Sequence, residues 1–144
     1  MSEQMFPFTS SRDHYEADAC VVWCFDDRFY KLLKAFGKHV GFNHIDLVKV
    51  AGGAKALAED DSSERNFVLS QILASIRLHG TKKIILMLHR DCGAYGGSKQ
   101  FSNSEQETAY YEDRLRTAKN FVSKEVSIPV EAYFADFDGL REVA

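Results

Sequence analysis

Apolar residues recur along this chain in two rhythms. Short runs rich in apolar residues, bounded by polar or turn-forming residues, read as strands: Ala19-Cys20-Val21-Val22-Trp23-Cys24-Phe25, Ile45 to Val50, Lys82 to Leu88 (KKIILML) and Val130 to Phe134. Pro129 suits the first position of the last of these, since proline cannot donate to a ladder inside a sheet. Between the runs, apolar positions fall three and four apart, as one face of a helix requires. Phe29, Leu32, Leu33, Phe36 and Val40 form the first stripe, with Gly41 as its stop. Leu69, Ile72, Leu73 and Ile76 form the second, capped within Asp61 to Ser63 and ended by Gly80. Tyr111, Leu115, Ala118 and Val122 form the third, and Ser104 with Glu107 fits a capping box at its start.

The predicted order is β-α-β-α-β-α-β. Strands alternating with helices imply an α/β fold, here a four-stranded parallel sheet flanked by helices, with a strand order of 2-1-3-4. A chain of 144 residues suits one domain, expected over 19–144. The polar, irregular residues 1–18 are expected to form an N-terminal arm. Gly93 to Asn103 is the one long irregular stretch within the domain.

Charge narrows the partners. Eighteen basic and 21 acidic residues are interspersed, with no basic run, so no nucleic-acid partner is expected. No segment approaches the ~20 apolar residues needed to span a bilayer, and the first residues lack a signal-peptide pattern. Three cysteines are an odd count for a disulfide framework. A soluble protein of the reducing cytoplasm, acting on a small molecule, is the expectation.

The chemistry-bearing residues gather when placed on this scaffold. Cys24 ends the first strand, and His89 and Cys92 follow the third. Open parallel sheets bind ligands at the carboxyl ends of their strands, where the strand order reverses. In the order 2-1-3-4, strands one and three are neighbours at that switch point. Two thiolates and an imidazole suit tetrahedral Zn²⁺, and three protein ligands leave a fourth position free. Cys20, four residues before Cys24 on one strand, lies about 13 Å from it at ~3.3 Å per residue, so it is read as core. His14, His39, His44 and His79 show no ligand spacing.

Cys24-Phe25-Asp26-Asp27-Arg28 resembles the Cys-x-Asp-x-Arg motif of the beta-class carbonic anhydrases, and His89-Arg90-Asp91-Cys92-Gly93 resembles their His-x-x-Cys-Gly. The likeness extends over about residues 19 to 139. It implies zinc ligation by Cys24, His89 and Cys92, hydration of carbon dioxide to bicarbonate by zinc-bound hydroxide, and a homodimer or higher homo-oligomer. It also implies that Asp26 and Arg28 act beside the metal. The aspartate either accepts a hydrogen bond from the hydroxide, with the arginine holding it, or ligates zinc and closes the site. Where family members usually carry Ala-Gly-Asn after the second strand, this chain has Ala51-Gly52-Gly53, and its N-terminal arm is shorter.

The pocket-lining residues expected are Gly52, Gly53, Gly93 and Tyr95; the paired glycines also fit a plain tight turn. Arg90 and Asp91, between the ligands, read more simply as solvated loop residues. Two thiolates cancel the charge of Zn²⁺, so water there is acidified less than at a three-histidine site, where its pKa is ~7. Activity should therefore rise into the alkaline range. Two other functions remain open on these residues: hydrolysis of a sulfur analogue (carbon disulfide or carbonyl sulfide), and a non-catalytic zinc-stabilised binding module closed by Asp26.

Overall fold

The computed structural model describes all residues 1–144. Its strands are β1 (Ala19–Cys24), β2 (Ile45–Val50), β3 (Ile84–His89), β4 (Val130–Asp136) and β5 (Gly139–Val143); its α-helices are α1 (Tyr30–His39), α2 (Ser63–His79) and α3 (Ser104–Glu125). They build one sheet in the order β2-β1-β3-β4-β5. The first four strands are parallel and stand in the expected 2-1-3-4 order. The difference is β5, which returns antiparallel along β4 after the turn at Phe137-Asp138.

Every residue of β1 and β3 is buried, because each strand has a neighbour on both sides and helices on both faces. That explains their unbroken apolar sequences, each fully buried Leu or Ile contributing ~1.5–3 kcal/mol. Neighbouring residues of one strand serve opposite layers. On β4, Tyr133 meets Phe36 of α1, whereas Phe134 stacks on Tyr111 of α3. On β2, Asp46 accepts hydrogen bonds from Ser75 and His79 of α2, while Ile45 and Leu47 line a hollow with Tyr30 and Leu33 of α1.

The helix ends follow local chemistry. Gly41 (φ +79°) ends α1 with paired bonds from Gly41 N–H to Lys38 and from Phe42 N–H to Gly37. Ser62 caps α2, and Gly80 (φ +54°) closes it. Two expectations shift. The buried face of α2 runs Val68, Ile72 and Ser75, so Leu73 turns outward to 38% exposure. The N-cap of α3 is Asn103, one residue before the expected Ser104; its side chain accepts Gln106 N–H, and Gln106 in turn accepts Ser102 N–H. Glu107 is therefore free of any capping role.

Residues 1–14 are exposed and carry no regular structure, with Phe6 and Phe8 stacked on each other. Tyr15 fastens the segment to the sheet through a 2.6 Å hydrogen bond to Asp46, a tilted ring contact with His79 and a stacked one with His44. No helix is long and apolar enough to cross a membrane.

Candidate metal centre

The carboxyl ends of β1 and β3 lie side by side, Val22 opposite Leu86. There the ligating atoms of Cys24, His89 and Cys92 gather within 4.8 Å of one another, all buried. Cys24 is the last residue of β1 and His89 the last of β3; Cys92 opens a 3₁₀ turn, Gly93–Tyr95.

The imidazole is held in one tautomer. Nδ1 of His89 is 2.6 Å from the carbonyl oxygen of Arg90, which can only accept, so Nδ1 carries the proton. Nε2 then presents a lone pair toward the two sulfurs. It is buried and has no hydrogen-bond partner, a costly arrangement for a polar atom unless a cation completes it. Phe29 packs on the ring at 4.6 Å between centroids.

The sulfurs are primed as unequal partners. The nearby Cys92 thiol, then His89 and the backbone N–H groups of Asp26 and Gly52, favour the Cys24 thiolate and hold its pKa below the usual thiol range against the effect of burial. Cys92 is pushed up, first by the neighbouring Cys24 sulfur and then by burial. For His89, burial opposes the charged ring, but the Cys24 thiolate and the Arg90 carbonyl prevail and raise its pKa. Zinc fits this donor set: soft thiolates, one oriented imidazole and a spacing that a tetrahedral ion can bridge.

Asp26 stands beside the trio without joining it. One oxygen lies 3.8 Å from His89 Nε2, and the carboxylate is not among the gathered ligand atoms. Arg28 grips it from the far side, Nη2 to Oδ2 at 2.7 Å and Nε to Oδ1 at 3.0 Å, while Oδ1 also accepts Arg28 N–H. These bonds hold the Asp26 carboxyl down at about 2. The guanidinium rests over the Phe137 ring at 5.2 Å, a contact that the β4–β5 turn supplies.

The expected pocket residues have differing surroundings. Gly53 is buried with φ +57°, and a Cβ there would sit 2.5 Å from the Met87 carbonyl and 3.1 Å from Cys24 N. It lets the chain pass between the ends of β1 and β3. The Gly52 N–H is among the groups that favour the Cys24 thiolate. Gly93 is exposed with open space beside it. Tyr95 is half-buried, edge-on to Tyr110 and Tyr111, with Lys55 over its ring. A groove of about 400 Å³ on the Gly52 side is lined by Ala51, Lys55, Phe67 and Ala94, among others.

Arg90 and Asp91 are more than solvated loop residues. Arg90 forms a two-point bridge to Asp136 on β4, both bonds 2.8 Å, and reaches Glu107 at 3.0 Å and the Thr108 hydroxyl. Glu107, 2% exposed, also accepts the Asp91 N–H at 3.0 Å and the Ser98 hydroxyl. A buried carboxylate thus pins the loop between His89 and Cys92. Its signal lies in the helix period: Glu107 falls one turn before Tyr111 on the apolar stripe of α3.

Residues 15–138 match the family described as "Putative carbonic anhydrase". An uncharacterized protein of Rickettsia conorii is 28% identical over 136 residues, covering 88% of this chain and 72% of that protein. Among solved structures, beta-carbonic anhydrase isoform I of Trichomonas vaginalis aligns over 95% of this chain and 87% of its own, with a TM-score of 0.62 and 15% identity. The apo form of a carbon disulfide hydrolase aligns over 90% and 80%, with a TM-score of 0.55 and 16% identity. At such identities the structural likeness establishes the fold.

Proposed function

The chain belongs to the "Putative carbonic anhydrase" family, and from that membership we propose that it holds zinc on Cys24, His89 and Cys92 and hydrates carbon dioxide to bicarbonate. The observation that carries this reading is the buried, unpartnered Nε2 of His89, aimed at two cysteines and fixed in tautomer by the Arg90 carbonyl. Bound zinc would supply a Lewis acid that acidifies water next to an electrophilic carbon.

The chain's own residues do the rest. The backbone N–H groups of Asp26 and Gly52 favour negative charge on Cys24. The Asp26 carboxylate, kept ionised by Arg28 and 3.8 Å from His89 Nε2, would accept a hydrogen bond from a proton donor beside the three ligands and orient it. Buried Phe29 covers the His89 ring with an apolar face and packs against Phe137. The free edge of β2, where Leu47 and nearby Tyr30 remain exposed, supports self-association in solution.

The test is stopped-flow hydration of carbon dioxide by protein carrying about one zinc per chain, from neutral to alkaline pH. A catalysed rate that rises with pH and vanishes in Cys92→Ser is expected, and Asp26→Asn should keep zinc and lose turnover. Full zinc occupancy without catalysis at any pH overturns the assignment. Carbon disulfide and carbonyl sulfide belong in the same assay, because the fold is shared with a hydrolase of carbon disulfide.

A further inference from the structure

Arg28 carries a second carboxylate that holding Asp26 does not require. Beyond its bonds to Asp26, its Nη1 reaches Asp91 Oδ2 at 3.1 Å and its Nη2 reaches the Asp91 carbonyl oxygen at 3.1 Å. The loop that follows Cys24 at the end of β1 and the loop that runs from His89, at the end of β3, to Cys92 are joined across the site by this one guanidinium.

Asp91 is itself firmly placed. It is the only non-glycine residue with positive φ, +57°, a conformation that costs an L residue ~1–2 kcal/mol and that Asp and Asn tolerate best. Three contacts hold it there. Its N–H is bonded to the buried Glu107, its Oδ1 accepts Ser98 N–H at 2.8 Å, and Gly97 passes so close that a Cβ would stand 3.1 Å from Oδ1. Asp91 therefore meets Arg28 as a fixed point.

That matters because Asp26 has only a short way to travel. Two ligands of one tetrahedral zinc, at ~2.0–2.2 Å each, lie roughly 3.4 Å apart. Asp26 Oδ2 is 3.8 Å from His89 Nε2. An arginine paired with Asp26 alone, and half exposed as this one is, would follow the carboxylate inward. Tied also to Asp91, it cannot follow without breaking two further bonds.

We propose that Asp91 is a positioning residue that anchors Arg28 and thereby keeps Asp26 off the metal, leaving the fourth coordination position open. The proposal rests on the zinc reading of the Cys24–His89–Cys92 site. Asp91→Asn isolates the contact. Asparagine keeps the volume, tolerates the left-handed backbone and retains an acceptor for Ser98 N–H, but it turns an amide N–H₂ toward Arg28 Nη1, donor against donor.

The experiment uses cobalt-substituted full-length protein, its visible spectrum and titration with azide, a small anion that enters an open fourth position. Wild type should bind azide with a clear spectral change. Asp91→Asn should bind one cobalt yet need at least tenfold more azide, with the spectrum of a carboxylate-ligated ion. Asp26→Ala added to Asp91→Asn should restore azide binding, since the closing carboxylate is gone. Unchanged azide affinity in Asp91→Asn, failure of Asp26→Ala to restore it, or loss of cobalt from a folded Asp91→Asn protein overturns the role. If wild type itself shows no thiolate-to-cobalt band that disappears in Cys92→Ser, the metal reading falls, and the role of Asp91 with it.

Discussion

Replacing Glu107 by Gln is the sharpest stability test that the fold offers. The carboxylate receives Arg90 Nη1 at 3.0 Å, Asp91 N–H at 3.0 Å and the Ser98 hydroxyl at 2.8 and 2.9 Å, all around a side chain only 3% exposed. Glutamine offers one oxygen where glutamate offers two, so its N–H₂ must face a donor. A charge-assisted bond contributes ~1.5–3 kcal/mol, and a donor left without a partner costs ~1–3 kcal/mol. Arg90 retains its two bonds to Asp136, which keeps the loss toward the lower end of the ~3–5 kcal/mol seen for broken buried pairs. About 3 kcal/mol is expected. Unfolding entropy of ~2.1 cal/mol/K per residue gives roughly 0.3 kcal/mol/K for 144 residues, so Tm should fall by about 10 °C. Circular dichroism melts of zinc-loaded and chelator-treated protein measure it. A fall under ~3 °C in both forms would mean that the carboxylate is effectively hydrated and that the loop is held by other contacts.

Two further outcomes follow from the same geometry. Gly53→Ala would drive a methyl group against the Met87 carbonyl at a φ of +57°, so a loss of more than about 1 kcal/mol in urea unfolding is expected, together with weaker zinc retention; wild-type values for both would contradict the close approach. Asp136 has its pKa lowered by the bridge from Arg90. Its folded pKa lies below the unfolded ~3.9, so its contribution is complete above about pH 4 and is lost as pH falls through the lowered value. Asp136→Asn should therefore unfold at lower urea than wild type at pH 6, with the gap narrowing by pH 3, and a gap independent of pH would refute the linkage.

What the sequence made legible was whatever a single period could encode. The all-buried strands β1 and β3 announce themselves as apolar runs, and their adjacency follows from an alternating α/β order, so the meeting of Cys24 with His89 and Cys92 could be derived. Strand β5 was hidden because Gly139-Leu140-Arg141-Glu142-Val143 puts two adjacent charges on a sheet edge and shows no clean alternation. Glu107 was misread because a carboxylate three residues after a serine looks like a cap, whereas its place on the apolar stripe of α3 decides its surroundings. Arg90 and Asp91 looked like solvated loop residues because their partners, Asp136, Glu107 and Ser98, come from later elements that no local pattern connects to them.

The position of the three ligand atoms also has a consequence for synthesis and folding. In a zinc finger the ligands come from one short segment, so the ion can organise a chain that is otherwise unfolded. Here Cys24 and His89 are 65 positions apart and meet only when β1 and β3 pair. Closing so long a loop is entropically expensive, and an ion has little to hold before it closes. Metal capture should thus come last, after the central strands have docked, and a growing chain would have no complete site until Cys92 had been made and β3 laid beside β1. In a refolding experiment the appearance of the bound ion would time the assembly of the sheet.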